Sequence, residues 1–167
     1  MALTGFIDKI QWNQFREISK QPGNVSEDAE IFVIYNLKYQ TQAATSKECK
    51  ISAVSVDLKM NKSKSWVVKN KKSSELLRHE QGHYDITALG AREVYQRISA
   101  LTVTQCAQIE TQLKQIQKDV QKLINQVNIR YDKQTSHGVN STIQKNWEAS
   151  IRTAKKRADG TLAGLPH

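Results

Sequence analysis

The chain contains no apolar run of the roughly eighteen residues a membrane-spanning helix needs, so none is expected. Aromatic side chains are scarce at 7%, and a core must therefore rest mainly on Leu, Ile and Val. Internal repeats and low-complexity linkers are absent, and 167 residues suffice for a single compact domain. The opening "MALTGFIDKIQW" has no basic leader followed by an apolar stretch, so no signal peptide is expected within this chain. A mature exported protein would look the same, which leaves compartment open. Cysteine is limited to Cys49 and Cys106, too few for a cysteine metal motif. In an oxidising compartment the pair would form one disulfide tying the strand region to the second helix; otherwise both are buried thiols.

Acidic residues are in deficit. Lys and Arg total 25 against 16 Asp and Glu, giving a net charge of +9. Lysines cluster from Lys59 to Lys72, and a second basic group comprises Arg152, Lys155, Lys156 and Arg157. No zinc-finger spacing or aromatic RNA-binding signature accompanies them, so the charge reads as solubility rather than nucleic-acid recognition.

The first part of the chain reads as β structure. "EIFVIYNLKY" places Ile31, Val33, Tyr35, Leu37 and Tyr39 on one face, with Phe32 and Ile34 on the other. "CKISAVSVDLKM" alternates again through Val54, Val56, Leu58 and Met60. "SWVVK", Ser65 to Lys69, is a short candidate edge strand, and "QPGN" at 21–24 marks a turn. From Ser74 the period becomes helical. Ser73 or Ser74 caps a helix expected over about 74–100, with Glu75 in its first turn. A stripe through Cys106, Ile109, Leu113, Ile116, Val120, Leu123 and Val127 predicts a second helix over about 104–128. A third is expected over about 140–157, capped by Asn140, with Ile143, Trp147 and Ile151 facing the core. The order of elements is α+β: a small antiparallel sheet over about 5–70, a long helical hairpin, then a last helix.

The first helix carries "HEQGH". His79 and His83 lie four residues apart and share one helical face, so both imidazoles can address one metal ion. Zinc suits such nitrogens, at about 2.0–2.1 Å. Glu80 is rotated about 100° from His79. It can accept a proton from a zinc-activated water, the nucleophile for amide hydrolysis. The alternative is a solvated polar turn on an ordinary helix.

A catalytic zinc site needs a third protein ligand. Asp85 lies about 200° around the helix from His83, and Glu93 about 15 Å along its axis, so neither serves. If the hairpin turns near Thr102, Gln121 faces His83 and Asn128 faces Leu76, bringing "NIRYDKQTSHGVN" back to the site. A loop from Asn128 to His137 then supplies His137 as third ligand, with Asp132 as the alternative; Asp132 can instead orient a ligating histidine from the second shell. Gly138 permits a close turn. Tyr131 or Tyr84 is a candidate hydrogen-bond donor to a developing oxyanion. A peptide substrate could add to the edge strand Ser65–Lys69, whose lysines equally protect an edge from aggregation.

With "SWV" at 65–67, "LLRHEQGHYDIT" at 76–87, "YDKQTSHG" at 131–138, and then Gln144 and Trp147, the chain resembles a bacterial family described as predicted secreted zinc-dependent proteases, domain of unknown function 922. "WNQF" from Trp12 and Ala29 are weaker traces of its opening. The resemblance implies a zincin-like arrangement, metal ligands at His79 and His83, a catalytic Glu80 and an exported or periplasmic setting, and it favours His137 in the site. The absence of a leader keeps a cytoplasmic setting open. The expectation is a zinc metallopeptidase acting on peptide or protein substrates. The alternative is a non-catalytic metal-binding or partner-binding envelope protein built on the same hairpin.

Overall fold

The computed structural model describes residues 2–23, 25–101 and 104–167. Seven strands are described: β1 (Ala2–Thr4), β2 (Arg16–Ile18), β3 (Ala29–Glu30), β4 (Val33–Ala43), β5 (Glu48–Met60), β6 (Trp66–Val68) and β7 (Thr104–Gln105). Three helices follow or interrupt them: α1 (Ser74–Ser99), α2 (Ile109–Thr135) and α3 (Ser141–Lys156). The class is mixed α+β.

Two sheets form where one was expected. In the larger, β5 is central, flanked by β1 and β4, with β7 pairing its first residues. The smaller has the order β2-β6-β3. Neither is purely antiparallel, because β1 runs parallel to β5 and β2 parallel to β6. These pairings join segments far apart in sequence, which alternation along one strand cannot specify. Ser65–Lys69 is not an edge strand. Trp66–Val68 is central, paired with β2 on one side and β3 on the other, and wholly buried. No backbone edge remains there for an incoming peptide.

The helices form where capping and periodicity place them. Ser73 accepts from Leu76 N–H to start α1, and Asn140 accepts from Ile143 N–H to start α3. α1 is buried on two faces. Tyr84, Ala88 and Ala91 pack on Val56, Leu58 and Val67 of the sheets. Ile86, Leu89, Val94 and Ile98 pack on Val120, Ile124 and Val127 of α2. Each such aliphatic side chain, fully withdrawn from water, contributes about 1.5–3 kcal/mol. Arg92 of α1 donates to the carbonyls of Ala154, Lys155, Arg157 and Gly160, closing the C-terminal end of α3 onto α1.

α2 starts later and ends later than its stripe suggested. The short strand β7 and a turn of 3-10 helix at Cys106–Gln108 precede Ile109, which opens the helix. The expected turn at Thr102 lies outside the described residues. The helix then runs to Thr135 because Val127, Tyr131 and Thr135 continue the buried face. Cys49 and Cys106 are disulfide-bonded, which clamps the start of β5 to the turn that precedes α2.

Candidate metal centre

The late start of α2 changes which residues meet α1. Asn128, not Gln121, faces His83, about two helical turns farther along than a tight hairpin would give. Asn128 and Asp132 lie one turn apart on α2 and address His83 and His79 together. They belong to the helix, not to a loop. Two glycines permit the close approach. A Cβ on Gly82 would lie 2.2 Å from the Tyr131 hydroxyl, and one on Gly138 would lie 2.9 Å from the His79 Cβ.

Three donor atoms converge. His79 Nε2 is 3.2 Å from His83 Nε2. Asp132 Oδ1 is 3.1 Å from His79 Nε2 and 2.9 Å from His83 Nε2. Ligand atoms held about 2.0–2.2 Å from a tetrahedral zinc ion stand roughly 3.3 Å from one another, so this triangle fits one face of such a site. His137 sits at its edge. Its Nδ1 is 3.7 Å from Asp132 Oδ1, its side chain is 45% exposed, and its donor atom, with those of His79 and Asp132, forms a set all within 4.8 Å.

The outer nitrogens fix which face of each ring is free. His79 Nδ1 meets the Gln144 side-chain carbonyl at 3.2 Å, and His83 Nδ1 meets that of Asn128 at 2.8 Å. The Gln144 amide is oriented by donating to the Tyr131 hydroxyl at 2.6 Å and to Glu148 at 3.2 Å. With each Nδ1 turned outward onto a side-chain carbonyl, each Nε2 faces the carboxylate, where it bears a proton in the metal-free protein or offers its lone pair to a bound ion. A carboxylate oxygen facing two imidazole nitrogens favours positive charge between them, which protons on Nε2 supply in the metal-free protein.

The carboxylate's pull sets the acidity of its neighbours. Burial by itself would depress the His83 imidazole. The Asp132 hydrogen bond, with the charges of Glu80 and Asp132, overcomes burial and lifts it to about 9. Asp132 is the converse: burial would raise it, but hydrogen bonds from His79 and His83 hold it well below the usual carboxylate range.

Glu80 is 2% exposed and stands beside the triangle in a cavity of about 460 Å³. Burial pushes its carboxyl up. Its Oε2 has no hydrogen-bond partner among the described residues. A buried oxygen without a partner costs free energy, which marks it as a group held ready for something else.

The tyrosines do not take the place expected of an oxyanion donor. The Tyr131 hydroxyl donates to the His79 carbonyl at 3.2 Å, and its ring stacks on His79 with centroids 4.7 Å apart. The Tyr84 hydroxyl donates to the Gly5 carbonyl at 2.8 Å. Both hydroxyls are committed to backbone. Asp85 pairs with Lys155 on the opposite face of α1, as its angle around the helix required.

Sequence reading missed Asn128 as an outer partner and Glu27 as part of the cavity wall, 3.7 Å from His137 Nδ1. Asn128 was findable, because it precedes Asp132 by four residues once the helix is carried through Tyr131. Glu27 lies in a segment without periodicity, and no signal pointed to it. Ser136 and His137 both adopt left-handed backbone, at φ 51° and 52°, just before Gly138 at 84°. Such conformations cost roughly 1 kcal/mol or more outside glycine, and they swing the His137 ring back over the site.

No curated protein and no solved structure matches the chain. The family described as "Bacterial protein of unknown function (DUF922)" matches residues 10–138, a span that holds His79, Glu80, His83, Asp132 and His137. On that match the chain belongs to this family.

Proposed function

We propose that the protein is a zinc-dependent metallopeptidase of the zincin-like kind, with His79, His83 and Asp132 holding the ion and His137 completing the set at the cavity mouth. The observation that carries this reading is the triangle of Nε2, Nε2 and Oδ1 atoms 2.9–3.2 Å apart, beside a buried Glu80 oxygen that lacks a partner.

Zinc in such a site lowers the pKa of a water and polarises a carbonyl. Glu80 removes a proton from the attacking water as the new C–O bond forms, then delivers it to the amide nitrogen as the C–N bond breaks. Burial raises its carboxyl above the ordinary range, so that it holds a proton more strongly than an exposed carboxylate, which suits a group that takes one and returns it. Gln144 and Asn128 hold the two imidazoles with their lone pairs turned inward.

Substrate would lie along β3. Val68 N–H donates to the Asp28 carbonyl, and Ala29 stands opposite Val67. In an antiparallel pair of this register, Ala29 turns its own N–H and C=O away from β6. Ala29 lines the cavity, and the next residue of the same orientation, Ile31, lines it together with Glu80. An extended peptide can therefore pair with β3, the edge of the small sheet, instead of Ser65–Lys69.

The Cys49–Cys106 bond supports an oxidising, periplasmic or exported setting. The test is metal content measured together with peptide hydrolysis by the wild type and by Glu80→Gln. A protein that holds zinc and cleaves no peptide would instead be a non-catalytic metal-binding envelope protein.

A further inference from the structure

The chain carries 25 Lys and Arg, yet none of them lines the cavity that holds the donor triangle. Its wall instead presents Glu27, Asp28 and Glu30, in addition to Glu80 and Asp132. The contrast is local. On the opposite face of α1 a cavity of about 410 Å³ is lined by Lys9, Arg78, Arg152, Lys155 and Lys156, with Asp85 paired to Lys155 and Glu148 to Arg78. Helix α1 thus separates a cavity richer in cations from one whose wall is acidic, in a protein of net charge +9; a bound Zn2+ would offset Asp132 and Glu80 and leave Glu27, Asp28 and Glu30 as the charge of that wall. Fields fade over about 8–10 Å at moderate salt, so the nearest charges decide what enters each cavity.

Two of the three wall carboxylates are already engaged. Asp28 accepts from Gln21 at 3.0 Å and faces Lys71 at 3.6 Å; Glu30 accepts from the Trp66 indole at 2.9 Å. Glu27 has only His137, at 3.7 Å, among the described residues. It is half-buried at the mouth and one side chain away from the donor set. Deeper in the same cavity, the partnerless and almost fully buried Glu80 oxygen independently marks a place where a ligand group is received.

We infer that the cleft selects a cationic peptide, one bearing Lys or Arg beside the bond presented to Glu80, with Glu27 as the counter-charge. This rests on the metallopeptidase reading for the word substrate, but the binding itself does not require cleavage. A half-buried carboxylate facing a basic side chain favours it, and the same wall repels an acidic side chain at that position.

The experiment uses the full chain, zinc-loaded, as the Glu80→Gln variant so that nothing is consumed. Three peptides identical except for a central Lys, norleucine or Glu are titrated calorimetrically at low and at physiological salt. The Lys peptide should bind about tenfold tighter than the norleucine peptide, the Glu peptide weakest, with the preference shrinking as salt rises. Adding Glu27→Gln should remove most of the preference while zinc stoichiometry stays unchanged, and Glu27→Asp should restore part of it. The inference is overturned if the Lys peptide does not bind or binds no better than norleucine. It is equally overturned if Glu27→Gln keeps the preference, or if Glu27→Gln loses zinc and so proves part of the donor set. Hydrolysis by the wild type is scored separately. Charge-selective binding without cleavage sinks the peptidase reading alone, and cleavage indifferent to charge sinks this inference alone.

Discussion

Asp132 Oδ1 lies 2.9 Å from His83 Nε2, across the gap between the start of α1 and the end of α2. The carboxylate and both imidazoles meet in one small volume, so on the proposed reading a bound ion is shared among all three. The first prediction follows from that sharing. His79→Ala, His83→Ala and Asp132→Ala should each abolish stoichiometric zinc, measured by elemental analysis after dialysis. Asn128→Ala and Gln144→Ala, which touch only the outer nitrogens, should weaken zinc by about 10–100-fold without eliminating it.

Acidity gives a second. In the metal-free protein His83 titrates near 9, above its ordinary 6.5. A raised folded-state pKa contributes stability that is full below the unfolded value and lost as pH rises through the folded one. The metal-free melting temperature should therefore fall between about pH 6.5 and 9. Asp132, held below its ordinary 3.8, works the other way, and its contribution is present above that value and lost as pH falls through the depressed one. Zinc takes the place of the His83 proton, so the zinc-loaded protein should show no fall from pH 7 to 9. Calorimetry in buffers of different ionisation enthalpy should detect about one proton released per zinc bound near pH 7. No proton release would remove His83 from the donor set.

Tyr131 separates a packing role from a chemical one. Its hydroxyl serves the His79 carbonyl and the Gln144 amide. Tyr131→Phe should leave peptide hydrolysis within about tenfold of wild type, whereas loss of an oxyanion donor costs about 10²–10³ in kcat. Gly82→Ala should be the harsher change, because the added Cβ would lie 2.2 Å from that hydroxyl and push α2 from α1. A destabilisation of about 1–3 kcal/mol is expected, with weakened zinc, read by thermal melts and metal titration.

The disulfide closes a sequence separation of 57. The chain-entropy account assigns roughly 4 kcal/mol to such a loop. The Cys49→Ser, Cys106→Ser double variant should unfold at distinctly lower denaturant while binding zinc with the wild-type stoichiometry, since the bond lies at the far end of α2 from the donors.

Much of this was legible in the chain. Capping and period located α1 and α3, and the i, i+4 rule set both histidines on one face. The placement of Asp132 was harder to read. It depends on where α2 begins, and that is fixed by β7, which pairs with the start of β5 across a long stretch of sequence. Periodicity ended the helix at polar Asn128, although Tyr131 and Thr135 continue the buried stripe with atypical residues. Asp132 consequently stood as the alternative when its helical position, one turn beyond Asn128, places it against both imidazoles. The parallel pairings of β1 and β2 were illegible for a related reason, since two three-residue strands carry almost no pattern. That hid the central position of Trp66–Val68 and the place of β3 as an outer strand of the small sheet.

The most direct measurement is hydrolysis of a varied peptide pool by zinc-loaded wild type and zinc-loaded Glu80→Gln, side by side, followed by mass spectrometry. The account predicts cleavage by the wild type and a loss of at least about 10²–10⁴-fold in the variant, the size of a general-base contribution, with both holding one zinc. Equal cleavage by the two proteins, or a zinc-loaded wild type that cuts nothing in the pool, would contradict it.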